Sequence, residues 1–209
     1  MTKIQSGIKI TAPATISGIG CGTDIFAFAL DNPADEIIVQ KGLEAGISIK
    51  SISGDKGKLS TSILANPAGL AAHLVWEALI KEHAIDNKIG VELDIKKKVP
   101  SDKGLGDKES LVVAAAIAVN EFFGTLFSKR ELLPIINKAC TTLFSEFSLA
   151  ALTTSLMGGC MMVADKDQNK AAIAAQVCKT IGIPIGAGQR KIGCRHSKIY
   201  CRRIRADHQ

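Results

Sequence analysis

Gly104-Leu105-Gly106 lies between a clean strand pattern and a long apolar helix pattern. Strand, glycine turn and helix N-terminus in that order can build an anion site. Glycines let a phosphate approach the backbone. The first turn of a helix offers N–H groups without internal partners and a partial positive charge. The spacing fits neither GxxxxGK[ST] nor GxGxxG, so on these residues alone a plain tight turn is the simpler reading. Residues 101–110 also hold three acids and two lysines. Asp107 and Glu109 read as helix-cap acids. They oppose a bound phosphate as well: a like-charge pair at ~4 Å and an effective dielectric of ~20 costs about 4 kcal/mol. Lys103 and Lys108 offset part of that cost.

Other constellations carry less. Cys178, Cys194, His196 and Cys201 have the spacing C-x15-C-x-H-x4-C, which matches no common zinc finger. No metal ligand set is assigned. No Ser-His-Asp or Cys-His nucleophile arrangement is evident. Arg190 to Arg205 holds seven basic residues, no acid and one aromatic, Tyr200. A solvated tail explains that run more simply than nucleic-acid contact. His73 and His83 lie on or beside an apolar helix stripe and read as structural.

The elements that must position the glycine loop follow from patterning. Gly7–Ala12 alternates Ile8 and Ile10 with polar neighbours, a strand that Pro13 should stop. Residues 14–23 read as a small-residue loop or as a strand with close backbone approach. Residues 35–40 and 46–52 are two further strands. Asn66-Pro67 opens a helix, with Asn66 as cap and Pro67 where a missing N–H costs nothing. Gly90–Lys96 is a strand with Val91, Leu93 and Ile95 on one face. Residues 110–123 are apolar all round and predict a central, buried helix. Ser128 with Glu131 forms a capping box for a helix over 129–142, which Pro134 should bend. Residues 158–164 predict a short buried strand. This order predicts an α+β domain with helices on one face of a mixed sheet.

Composition sets the outer bounds. The chain has 209 residues, 46% hydrophobic and 22% charged, which excludes wholesale disorder. No apolar run reaches membrane-spanning length, and residues 1–10 lack a signal-peptide core. Six sparse cysteines suit a reducing, cytoplasmic compartment. Residues 166–209 carry ten Lys and Arg against two acids, and residues 1–165 carry sixteen against eighteen. The net charge of +6 is therefore a +8 tail on a −2 body, which argues against a nucleic-acid role for the body.

Four segments carry a family resemblance: APATISGIGCGTDIFAFALDNPADEI (12–37), NPAGLAAHLVWEAL (66–79), PSDKGLGDKESLVVAAAIAVNEFFGTLFSKRELLP (100–134) and SLMGG (155–159). In order and content they resemble the N-terminal part of homoserine kinases, members of the GHMP group of small-molecule kinases. The resemblance implies a ribosomal-S5-domain-2-like GHMP kinase N-domain over residues 5–165. It implies ATP- and Mg2+-dependent phosphorylation of the homoserine hydroxyl in threonine biosynthesis, in the cytoplasm, and allows a homodimer. Asp24 is implied for the substrate ammonium. Asn66, Pro100, Lys103, Gly104, Leu105, Gly106, Asp107, Lys108 and Ser110 are implied for ATP, with Asn66 at the adenine.

The chain departs from that family at several positions. The family loop Gly-Leu-Gly-Ser-Ser-Ala reads Gly104-Leu105-Gly106-Asp107-Lys108-Glu109 here. The family's substrate-loop Asn falls at Gly18, and its Phe before the Asp falls at Thr23. An acid that helps hold Mg2+ falls near Cys140. The run His-Ala-Asp-Asn falls at Ser148-Leu149-Ala150-Ala151, with Glu146 out of register. Residues 166–209 do not resemble the family's C-terminal domain and read as a basic, poorly ordered tail. The expectation is a homoserine kinase-like protein with impaired activity. The alternative is a catalytically inactive, truncated remnant or binding module with the kinase fold. No catalytic residue is assigned.

Overall fold

A computed structural model describes residues 7–18, 25–163, 174–176 and 200–203. In chain order the elements are β1 (Gly7–Ser17), β2 (Phe26–Gly42), β3 (Gly46–Ser53), α1 (Pro67–His83), β4 (Gly90–Lys96), α2 (Asp107–Phe122), α3 (Lys129–Leu143), α4 (Leu149–Met157), β5 (Cys160–Val163), β6 (Ala174–Gln176) and β7 (Tyr200–Arg203). One mixed sheet runs β3-β4-β2-β1-β7, with β5 on the outer half of β2 and β6 on β5. Only β3 and β4 are parallel among these pairs, and α1 connects them as a βαβ unit. The fold is α+β, as the alternation of strand and helix patterns predicts.

Register explains the core. Ile10, Ile37, Ile95 and Ile52 face one another across four strands, and Ile8, Val39, Leu93 and Ile49 form the next row. The intervening residues Lys9, Gln40, Glu92 and Lys96 are only half-buried. One face of the sheet is thus apolar, and α1, α2 and α4 pack against its strands. Among α2 residues only Asp107, Lys108 and Glu121 escape burial, so this helix is the centre of the core. A helix that is apolar all round must be enclosed on every side.

Local signals hold where their chemistry is strong. The Asn66 side chain accepts from the N–H groups of Ala68 and Gly69, and Pro67 follows as the first helical residue. Ser128 and Glu131 form the reciprocal capping box of α3, and Pro134 lies inside that helix.

Four expectations are corrected. Pro13 does not end β1: the strand continues to Ser17, with a register shift between Pro13 and Thr15. A bulge tolerates the missing donor of proline. β2 begins at Phe26 rather than at Asp35 and carries β5 on its first residues. α4 is a helix that patterning missed. Its Thr153, Thr154 and Ser155 are polar, yet all three are buried. The Ser155 hydroxyl donates to the Pro13 carbonyl at 3.0 Å, which satisfies it inside the fold. Finally, Ala174–Gln176 and Tyr200–Arg203 are strands, the latter antiparallel to β1 from Ile8 to Thr11. Sequence patterning did not identify these two short strands. Asp24, Thr23, Cys178, Cys194 and His196 lie outside the described residues. Among the described residues no helix is long and apolar enough to cross a membrane.

Candidate functional site

The glycine loop closes over β1 and opens into α2. The Thr15 N–H donates to the Leu105 carbonyl at 2.9 Å, tying the loop to the sheet. Gly106 is the residue before α2 and has φ +60°, where an L side chain is strained. A Cβ there would also lie 2.1 Å from the Thr15 hydroxyl, so Gly106 is required twice over. That hydroxyl is buried and has no hydrogen-bond partner among the described residues. Gly104, at φ +68°, has open space where a Cβ would stand.

Beside the loop is a cleft of about 240 Å³, lined by Ser17, Asp102, Gly104, Gly106, Asp107, Lys108, Glu109, Glu146 and Ala151. Its floor is the first turn of α2. Ser110 is the first residue of this helix whose N–H returns to the turn, bonding the Gly106 carbonyl at 2.9 Å. The N–H groups of Asp107, Lys108 and Glu109 precede it and have no carbonyl within the helix to reach. Such a turn stabilises an anion through its donors and its dipole.

Charges crowd the same place. The Glu109 carboxylate accepts the Ser148 N–H at 2.9 Å. It therefore caps the start of α4 rather than only its own helix. Burial raises its pKa and the Asp107 charge adds to that, while the Ser148 bond works the other way. Burial, then the Glu109 charge, pushes the Cys140 thiol well above its usual range. The Lys108 ammonium lies 5.0 Å from the centroid of the Phe144 ring, a cation–π contact that links α2 to the end of α3.

Under the loop lies a buried polar cluster that sequence reasoning missed. The Asp35 Oδ1 accepts the N–H groups of Lys98 (2.7 Å) and Val99 (2.8 Å). Its Oδ2 accepts the Ser110 hydroxyl (2.6 Å) and the Lys97 ammonium (2.8 Å). Lys97 also donates to the Asp107 carbonyl at 3.0 Å. The run Lys96-Lys97-Lys98 looks like a solvated charge patch, yet the Lys97 side chain is only 4% exposed. The one available signal was the alternation of the preceding strand, which turns Lys97 to the face of Ile95.

Of the residues implied by resemblance, the cleft gathers Gly104, Gly106, Asp107 and Lys108. Leu105 contributes its carbonyl to β1. Ser110 is fully buried and its hydroxyl is spent on Asp35 and the Asp107 carbonyl. Pro100 and Lys103 are exposed and do not line the cleft. Asn66 has no exposed surface. Its oxygen accepts two N–H groups and its amide donates to the Ser60 carbonyl at 2.7 Å, so in this conformation its side chain is not open to adenine. Among the described residues no group of three His, Cys, Asp or Glu is arranged to hold a metal ion.

Known proteins match this architecture. Residues 70–159 match the family described as GHMP kinases N terminal domain. The homoserine kinase of Chloroherpeton thalassium is 30% identical over 149 residues, covering 68% of this chain and 47% of that protein. That of Methanococcus maripaludis is 35% identical over 126 residues, covering 60% and 39%. The crystal structure of homoserine kinase from Cytophaga hutchinsonii superposes with a TM-score of 0.72 at 29% identity, over 80% of this chain and 51% of that one. A mevalonate kinase structure at 15% identity and a TM-score of 0.57 shares the fold. The chain spans about half the length of the curated relatives it matches. Residues 70–159 are thus similar to a GHMP kinase N-terminal domain, on the fold that these solved structures share.

Proposed function

We propose that this chain is homoserine kinase-like: it binds ATP at the glycine loop and transfers the γ-phosphoryl group to the hydroxyl of L-homoserine, with impaired activity. The observation that carries this reading is the cleft over the first turn of α2, where Gly104, Gly106 and helix N–H groups that precede the first intrahelical bond meet. The space and the donors fit a phosphate chain. The Lys108 ammonium supplies a positive charge at the same cleft. Mg2+ would enter with the nucleotide, held by the phosphates and by the cleft carboxylate Glu146. In such transfers the protein chiefly positions the reactants and stabilises charge on the moving phosphoryl group. Asp24 is the proposed contact for the homoserine ammonium, and the cytoplasm is the proposed compartment. Residues 5–165 are the proposed unit of folding, with residues 166–209 apart from the family.

A second reading, a non-catalytic binding module with the kinase fold, is favoured by the acids in the cleft and by Ala151 on its wall. One experiment separates them. ADP release is followed with homoserine, ATP and Mg2+, and ATP binding is titrated by calorimetry. The proposal expects weak binding and slow, homoserine-dependent turnover, far below the ~10 per second typical of enzymes. Binding without any turnover favours the module. No binding of ATP overturns both.

A further inference from the structure

The Lys97 ammonium is buried directly beneath the proposed phosphate site, at the end of a helix where a cation is disfavoured by the dipole. Buried ion pairs are poor sources of stability, since an apolar pair of similar volume does as well or better. The position of this one relative to Asp107 suggests what it does. Lys97 donates to the Asp107 carbonyl at 3.0 Å and stands 3.9 Å from its carboxylate oxygen. The Asp107 side chain is only 15% exposed, although it is an acid in the first turn at the mouth of a cleft.

We propose that Lys97, held by Asp35, is a positioning residue for the cleft: its ammonium draws the Asp107 carboxylate inward and leaves the N–H groups of Asp107 and Lys108 open to a phosphate. The inference rests on the ATP-binding reading above. It acts through Asp107, and it accounts for how an acid is tolerated where the helix should receive an anion. Asp35 suits the holding role. Its Oδ1 is fixed by two backbone N–H groups where the chain leaves β4, and its Oδ2 bridges Lys97 and Ser110. Lys97 cannot turn into solvent without leaving Asp35 unpaired in the core.

The test uses the neutral pair Asp35→Asn with Lys97→Met. An asparagine there can still accept the two backbone N–H groups and face Ser110. Titrations of ATP and of inorganic triphosphate are run on this double variant with and without Asp107→Ser, and on the parent chain with and without Asp107→Ser. The double variant should bind about fivefold more weakly than the parent. Asp107→Ser should restore about fivefold in that background but gain only about twofold in the parent, since one unopposed charge at a screened distance is worth roughly that much. Lys97→Arg should bind like the parent. Equal effects of Asp107→Ser in both backgrounds overturn the proposal. If the double variant does not fold, Lys97→Gln takes its place with the same comparison. If the parent binds neither ligand, the ATP reading fails, and Lys97 is then judged by the 15N signal of its ammonium. A held, slowly exchanging signal that shifts on Asp107→Ser supports the positioning role, and a signal averaged with solvent overturns it.

Discussion

The carboxylate of Glu109, in the first turn of α2, accepts the backbone N–H of Ser148 at the start of α4. One acid thereby joins two helix N-termini that border the same cleft. The bond satisfies a donor at the cap of α4, but it places a charge where burial raises its pKa.

A raised carboxylate pKa means that the folded state takes up a proton more readily than the unfolded chain. Its stabilising share is present below the ordinary glutamate pKa and is lost as pH rises through the raised value. Glu109→Gln keeps an oxygen for the Ser148 N–H and removes the charge. The variant should therefore be more stable than the parent at pH 7, and the difference should shrink toward pH 4. Urea unfolding at the two pH values checks this. A parent that is more stable than the variant at pH 7 would show that the ionised carboxylate is favoured.

Much of the fold was legible because its signals are local. Asn66-Pro67, the Ser128–Glu131 box and the alternation of Gly90–Lys96 each involve residues within a turn or a strand of one another. What was not legible depends on distant partners. Ser155 and Thr154 are polar, and the Pro13 and Ala27 carbonyls that meet them inside the fold lie 142 and 127 residues away. Lys97 looks solvated until Asp35, 62 residues earlier, supplies its counter-charge. The site divides the same way. Gly104 and Gly106 stand out in the sequence as a glycine turn ahead of a helix, whereas the inward turn of the Ser110 hydroxyl depends on Asp35, 75 residues away.

The two loop glycines are not equivalent. Gly106→Ala meets both a left-handed φ and the Thr15 hydroxyl at 2.1 Å from the new Cβ. Gly104→Ala meets only the φ term. Strain of this kind costs roughly 1 to 3 kcal/mol. Gly104→Ala should lie at the low end and Gly106→Ala at or beyond the high end. Denaturant midpoints of the two variants check the order, and a larger loss at Gly104 would mean that the loop packs differently against β1.

Asn66 tests whether a residue implied for adenine works purely as a cap. Asn66→Ala removes the acceptor for Ala68 and Gly69 and leaves the Ser60 carbonyl without its donor. A lost cap costs about 1 to 2 kcal/mol, and the buried site puts this variant at the upper end. Its ATP affinity, measured well below the unfolding transition, should match that of the parent. A stable variant with impaired ATP binding would restore the adenine role.

The last prediction concerns the two acids together. A reversion that also replaced Lys108 would disturb the contact with Phe144, so Lys108 is left in place. Glu109→Gln removes one charge at the phosphate site and keeps the α4 cap. Asp107→Ser removes the second and supplies a hydroxyl. At a water-screened site each repulsion is worth about 1 kcal/mol rather than the ~4 kcal/mol of a poorly screened pair. The nearby Lys97 ammonium already offsets roughly half of the Asp107 share. The double change should then strengthen ATP binding by about 1.5 kcal/mol, on the order of tenfold. Because the effect is electrostatic and the cleft opens to solvent, the gain should shrink as salt is raised from about 0.05 to about 0.5 M, where the screening length falls to roughly 4 Å. Calorimetric titration of both proteins at the two salt concentrations measures it. A gain independent of salt would place the hydroxyl introduced by Asp107→Ser, not the removed charge, at the phosphate. No gain at either concentration would mean that ATP does not contact the first turn of α2.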